Sequence, residues 1–362
     1  MFAPTRYLQW ARRFYGQVRF DLATSGMPGV PSAELGLPDV ASLDDASAWP
    51  RLRTAAAAYN DVPPGESIAA LGTTHGLWLA YASLTSPGDE VLVESPTYEP
   101  LVRIAEGVGA RVIRFERDAR EGFALDPDRV ARAMTPRTRV VAVSNLHNPS
   151  GVRASEDALR EVARCAAVQG ATLLVDEVYA PFDALVDSSG VFRGSARKLA
   201  PNVVAVSSLT KCYGLGSQRI GWLLGPADVV SRAEDAVTAS CGMLPLIHAH
   251  LGLHAFARID ALARRARRLL GDKRARVARW VESEGLAWSA PAEGLFGLVT
   301  VPGAGDLTAL IEKTAREREV LVAAGSFFGV PAGFRLAWSA PGEVLDEGLH
   351  RLGEALRSGV VP

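Results

Sequence analysis

The sequence predicts an α/β protein: a large domain with a mostly parallel sheet sandwiched by helices, plus a smaller α+β domain. Three observations carry that prediction. Between about Ser67 and Leu224, short apolar runs alternate with helical stretches, the pattern of strands joined by crossover helices. After Pro245 the chain becomes a long Arg/Ala/Leu stretch followed by short strands between helices. The 362 residues, 48% hydrophobic and 22% charged, suffice for one sizeable core and a second smaller one.

The elements follow in order. Met1–Phe20 is aromatic and basic, with Arg6, Arg12, Arg13 and Arg19 but no apolar core segment. It reads as a helix packed on the body or on a second subunit, in preference to a secretory signal or a membrane-surface helix. Asp21–Pro38, rich in Gly, Pro and Ser, reads as extended chain able to pack with the C-terminal part. Strands are expected at Glu90–Glu94, Arg111–Phe115, Val140–Val143, Thr172–Val175, Val203–Val206 and Gly221–Leu224. Between them, helices are expected to start near Thr74, Thr97, Asp126, Ser155 and Pro226. Ser155, ahead of Asp157 and Ala158, has the chemistry of an N-cap. A single long helix is expected over Ile247–Ser283, with Arg264, Arg265, Arg267 and Arg268 on its solvated face. Strands and helices then alternate around Phe296–Val301, Asp306–Glu317, Phe334–Trp338 and Glu343–Arg357. The division this implies is a large domain over residues 41–245, with 1–40 and 246–362 forming an arm and a small domain.

Bulk properties exclude several functions. A formal net charge of −1 gives no reason to expect nucleic acid or an anionic membrane as partner. No stretch is long and apolar enough to span a bilayer. Cys165, Cys212 and Cys241 form neither a disulfide framework nor a metal-binding spacing, so no metal is expected and a cytoplasmic location fits.

The chemistry-bearing residues sit at strand ends. Lys211, one of only four lysines in an arginine-rich chain, lies in Ser207-Ser208-Leu209-Thr210-Lys211-Cys212-Tyr213-Gly214, with Arg219 shortly after. Hydroxyls and a guanidinium suit a phosphate, and a partly desolvated amine can form a Schiff base, which arginine cannot. A solvated lysine in a glycine-rich turn is the plain alternative. Asp176 ends an apolar strand, with Glu177 beside it and Tyr179 three residues on. An aspartate there can pair with a cationic ring nitrogen; otherwise it is a polar strand terminus with Glu177 solvated. Asn148-Pro149-Ser150-Gly151 is good turn chemistry that also offers an amide donor, and His147 beside it is given no chemical role. Thr73 and Thr74 follow Gly72 at a helix start, a phosphate cradle or a plain cap. Tyr98 can stack on a flat ring or pack in the core. Arg335, inside the apolar run Gly333–Trp338, needs an anion: an internal carboxylate, or a ligand's.

Together, and in this order and spacing, Gly72-Thr73-Thr74, Pro96-Thr97-Tyr98, Asn148-Pro149-Ser150-Gly151, Asp176-Glu177-Val178-Tyr179, Ser208-Leu209-Thr210-Lys211, Arg219-Ile220-Gly221 and Arg335 resemble the class I/II aminotransferases. These are pyridoxal 5'-phosphate enzymes of fold type I, similar to aspartate aminotransferase. The resemblance covers residue 20 to the C-terminus and implies roles. Lys211 carries the cofactor as an imine and shuttles the Cα proton. Asp176 keeps the pyridine nitrogen protonated. Asn148 and Tyr179 hydrogen-bond the ring's phenolic oxygen, and Tyr98 stacks on the ring. Thr73, Thr74, Ser208, Thr210 and Arg219 hold the phosphate. Arg335 takes the substrate carboxylate, with Asn148 and the backbone near Ser25 and Gly26.

The resemblance further implies a homodimer and a ping-pong reaction, an amino group passing from an α-amino acid to a 2-oxo acid through pyridoxamine phosphate. The alternative is a lyase or cyclase acting on an unusual amino acid in a biosynthetic pathway. Two regions depart from the family. The tyrosine that reaches the partner's phosphate has no counterpart before Leu52-Arg53, Trp49 being a poor substitute, and Ser240–Pro245 lacks the usual pattern. A regulator fused to a DNA-binding helix-turn-helix is not expected, given the short segment before Asp21 and the charge.

Overall fold

The computed structural model describes residues 3–36, 44–182 and 190–359; the expected domain boundary at 41 lies outside them. In chain order the strands are β1 (Phe20–Asp21), β2 (Ser67–Leu71), β3 (Glu90–Ser95), β4 (Arg111–Glu116), β5 (Thr138–Ser144), β6 (Thr172–Asp176), β7 (Val203–Ser208), β8 (Ile220–Leu224), β9 (Ala287–Trp288), β10 (Phe296–Thr300), β11 (Val320–Leu321), β12 (Ala323–Ala324) and β13 (Gly333–Ala337). The central sheet has seven strands in the order β2-β8-β7-β6-β5-β3-β4. Only β8 runs antiparallel to its neighbours, so the expected mostly parallel α/β fold is the fold of the chain.

The sequence explains the layering. Strands β5 to β7 are near-continuous runs of Val, Leu and Ala, buried on both faces, as parallel strands covered by crossover helices must be. Full burial of each Val or Leu side chain is worth roughly 1.5–3 kcal/mol. On one face Leu77, Leu101 and Val229, from the helices Gly72–Leu84, Glu99–Gly107 and Ala227–Cys241, pack with Val91, Val140 and Val206. On the other, Val130, Leu159 and Val162, from Pro127–Ala133 and Glu156–Val168, pack with Val141, Leu173 and Val203. Ser155 caps its helix as expected, accepting from the Ala158 N–H at 3.1 Å.

The C-terminal half carries a four-stranded antiparallel sheet, β12-β13-β10-β9. The extended segment after the N-terminal helix joins this half, with β1 pairing parallel to β11. The N-terminal helix, Arg6–Phe14, packs on its own chain: Tyr7, Trp10 and Ala11 share a core with Leu321, Phe328, Phe334 and Leu349. The single helix expected over Ile247–Ser283 is instead three: Leu246–Phe256, Ile259–Leu270 and Lys273–Ser283. Gly271, at φ +47°, leaves the helical region and breaks the second from the third. Among the described residues no helix is long and apolar enough to cross a membrane.

Candidate active site

Parallel strands gather their carboxyl ends at one edge, where open α/β sheets bind ligands. Strand β2 delivers Thr73, β3 delivers Tyr98, β5 delivers Asn148, β6 delivers Asp176 and Tyr179, and β7 delivers Ser208, Thr210 and Lys211. Because β8 is antiparallel, its start, not its end, lies there, and that start carries Arg219. One topological rule thus brings the expected residues to one edge.

Lys211 is half-buried, not a solvated turn residue. Burial, then the nearby Arg335 and Arg219 guanidinium groups, pull its pKa from the ordinary 10.5 to about 8, against the opposing pull of Asp176. Asp176 is 4% exposed and accepts the Val178 N–H at 3.1 Å. Burial, with Glu94 nearby, pushes its pKa up to about 7 despite that bond and Lys211. A carboxyl held this way calls for a cationic partner. Its neighbour Glu177 is not solvated: it is buried, accepts from Ser195 Oγ at 2.9 Å and the Ala196 N–H, and is pushed by burial to about 7.

Beside the amine runs a chain of buried hydroxyls. Thr73 Oγ1 donates to Ser208 Oγ at 2.9 Å, and Ser208 shares a 2.7 Å bond with Thr210. The helix begins at Gly72 without a side-chain cap, so neither Thr73 nor the half-buried Thr74 serves as one. Its first N–H groups and the positive end of its dipole face this edge. Arg219 adopts φ +57° and reaches back to Leu71 O at 3.4 Å. Gly72 adopts φ +76°, a left-handed conformation that strains any residue bearing a side chain.

Arg335 answers the question its sequence context raised. It is 0% exposed, and among the described residues no carboxylate pairs with it. Nη1 donates to Asn148 Oδ1 at 2.8 Å, while Nη2 donates to Tyr7 Oη at 2.6 Å and Ala23 O at 3.1 Å. All three acceptors are neutral, and the buried Nε has no partner among the described residues. The rings of Tyr7, Phe296 and Phe328 surround the guanidinium at 5.0–5.3 Å. Since arginine can only donate, the Asn148 oxygen is fixed toward it and the Asn148 amide hydrogens are left for another acceptor. Tyr98 is half-buried and packs its ring edgewise on Tyr7 at 6.2 Å. Tyr179 donates to Ser25 Oγ at 2.9 Å. Gly26 O accepts from Ser339, and the Met27 N–H donates to Lys211 O at 2.8 Å. The strap 23–27 therefore runs between Arg335 and Lys211, and it is Ala23 that meets the arginine.

The residues present fit pyridoxal phosphate. A buried carboxyl short of a cation, a hydroxyl-lined helix start beside Arg219 and an amine depressed toward neutrality match a pyridine nitrogen, a phosphate and an aldehyde. The sequence profile of the family described as "Aminotransferase class I and II" matches residues 44–352. The chain belongs to this family. It is a pyridoxal-phosphate-dependent enzyme. Among relatives, capreomycidine synthase of Streptomyces vinaceus is 32% identical, across 96% of this chain and 92% of its own. The aspartate/prephenate aminotransferase of Thermus thermophilus is 29% identical, across 82% of this chain and 76% of its own. A solved PLP-dependent aminotransferase from Streptococcus suis superposes with a TM-score of 0.89 at 23% identity, covering 100% of this chain and 99% of that one.

Two features of this family member's site had no sequence signal strong enough to find them. Tyr7 meets Arg335 across 328 positions of chain. Behind Asn148, the wholly buried pair Arg117–Glu94 (2.9 Å) braces Ser144, whose Oγ donates to Glu94 at 2.6 Å and accepts the Asn148 N–H at 2.9 Å. His147, buried and hydrogen-bonded to Ser150 and Pro96 O, is held far below its usual pKa by burial and Arg117. It is a neutral structural residue.

Proposed function

We propose that the enzyme binds an α-amino acid by its carboxylate and removes the Cα proton, transferring the amino group to a 2-oxo acid. The observation that carries the substrate class is Arg335, a fully buried guanidinium bonded, among the described residues, only to neutral groups. Such a charge is costly without an anion, and a bidentate carboxylate suits its fork. Lys211 would hold the cofactor; Thr73, Thr74, Ser208, Thr210 and Arg219 its phosphate; Asp176 its ring nitrogen; Asn148 and Tyr179 its phenolic oxygen; and Tyr98 its face. When bound there, pyridoxal phosphate supplies an electron sink for the pair left at the substrate Cα. With its pKa drawn down from 10.5 to about 8, Lys211 is unprotonated in roughly a tenth of molecules at pH 7 and about half at pH 8. Its Nζ therefore takes the Cα proton and hands it on. Arg335 and Asn148 fix the carboxylate so that the Cα–H bond faces that amine.

A second reading, elimination or cyclisation of an amino acid bearing a leaving group, is supported by the capreomycidine synthase relative, whose match spans 96% of this chain. One experiment separates them. The loaded protein is incubated with a panel of amino acids and no acceptor. Amino transfer bleaches the visible absorbance and yields stoichiometric 2-oxo acid and pyridoxamine phosphate. Elimination or cyclisation restores the absorbance and leaves no pyridoxamine phosphate.

A homodimer is supported by Met243 and Ile247, apolar side chains 69% and 42% exposed near an apolar hollow of about 370 Å³ lined by Trp49 and Leu244. Light scattering should give twice the 38.5 kDa chain mass. The thiols of Cys165, Cys212 and Cys241, none of them in a disulfide among the described residues, are consistent with a cytoplasmic enzyme.

A further inference from the structure

We infer that Tyr7, on the N-terminal helix, is a substrate-binding residue whose phenol donates a hydrogen bond to the α-carboxylate beside Arg335. The inference rests on the reading of Arg335 as the carboxylate site.

Its ground is an inventory of protons. Arg335 Nη2 donates to Tyr7 Oη at 2.6 Å, and a guanidinium has no lone pair with which to accept in return. Tyr15, just past the end of the same helix, is a neighbouring phenol whose pKa is raised by burial and then by Tyr7. Tyr7 Oη thus accepts from the arginine, and its own O–H is left to point at whatever anion the arginine binds.

The placement of Tyr7 is built, not incidental. The residue is 3% exposed. Its ring packs against Trp10, Tyr98, Phe327 and Phe328. Its backbone N–H is anchored to Glu99 Oε2 at 2.8 Å, which ties the helix start to the element that follows Tyr98. The ring alone would serve packing; the hydroxyl on a buried cation serves an anion. A neutral donor on a desolvated carboxylate would also discriminate against ligands that lack one, because the phenol and guanidinium would then face no acceptor.

The test compares Tyr7→Phe and Tyr15→Phe with the parent, each loaded with pyridoxal phosphate, a separate sample of each being reduced with borohydride to confirm attachment at Lys211 and the unreduced protein being kept for binding. Failure to attach would strike the function proposed above, independently of Tyr7. Calorimetry then measures binding of a 2-methyl amino acid, which has no Cα proton to lose, and of its carboxamide. Tyr7→Phe should weaken the acid roughly ten- to a hundred-fold, the loss expected for a hydrogen bond to a charged group, and the carboxamide by less than about three-fold. Tyr15→Phe, which leaves the Tyr7 proton in place, should change either by less than about three-fold. An equal penalty on acid and carboxamide, or none on the acid, overturns the inference. A crystal structure of the unsubstituted protein with the 2-methyl amino acid tests the same contact without a variant. Tyr7 Oη should lie within hydrogen-bond distance of a carboxylate oxygen, and a longer separation would refute the assignment.

Discussion

Asp176→Asn should stabilise the cofactor-free protein and destabilise the cofactor's hold on it. In the absence of a cation the carboxyl is 4% exposed, accepts one backbone N–H, and has its pKa pushed from 3.8 to about 7. A raised folded-state pKa favours folding only while the proton stays on. Below about pH 4 both folded and unfolded states are protonated and the carboxyl costs nothing. Between about pH 4 and 7 the unfolded state ionises while the folded state keeps its proton, so stability falls steadily, and once the pH has risen through about 7 the loss is complete. Three pKa units at 1.36 kcal/mol each put the cost at about 4 kcal/mol at pH 8 and roughly 2 kcal/mol at pH 5.5. Asparagine keeps the shape and cannot ionise. Urea unfolding of the stripped proteins should therefore show the variant more stable by these amounts. Glu177, also pushed to about 7 and in part by Asp176 itself, is slightly relieved in the variant, which adds to the difference in the same direction. Loading with pyridoxal phosphate should reverse the order, because the parent then gains an ion pair that the variant lacks. A stripped parent as stable as the variant at pH 8, or a difference that ignores pH, would refute the electrostatic reading of Asp176.

Other consequences are as direct. Arg335→Ala should raise the amino acid concentration for half-saturation by about 100-fold, the loss of a bidentate charged contact, while the visible absorbance of the loaded protein stays the same; steady-state kinetics on the best donor would check both. Arg117→Met leaves Glu94 buried without its counter-ion, and should cost about 3–5 kcal/mol in urea unfolding. Adding Glu94→Gln should recover most of that loss. Lys211→Ala should still retain pyridoxal phosphate on dialysis but lose its visible band, with turnover falling by about 100-fold or more.

The gathering of the candidate site's residues at one sheet edge was legible in the sequence because of topology. Each expected residue follows an apolar run by a few positions, and parallel strands place such positions together whatever the connections between them. Arg219 was legible through its glycine-rich surroundings, although its position at the start of an antiparallel strand was not. What could not be read is what depends on distant chain. Nothing local marks Tyr7 as the partner of Arg335, and nothing in Val175-Asp176-Glu177 tells which carboxylate faces the ligand and which accepts the Ala196 N–H behind it. The expected long helix fails for a different reason: Gly271 lies inside an Arg/Ala/Leu pattern strong enough to hide the break that its positive φ makes. Arg335 shows the opposite case. An arginine within an apolar strand demands an anion, and the only structural fact needed was that the described residues supply none.

Cofactor, site and reaction all depend on the amine of Lys211. The most direct measurement is borohydride reduction of the protein after loading with pyridoxal phosphate, followed by peptide mass spectrometry. The phosphopyridoxyl group should be found on the peptide containing Lys211 and be absent from those containing Lys198, Lys273 and Lys313. Label on one of those three, or on none, would contradict the site described here.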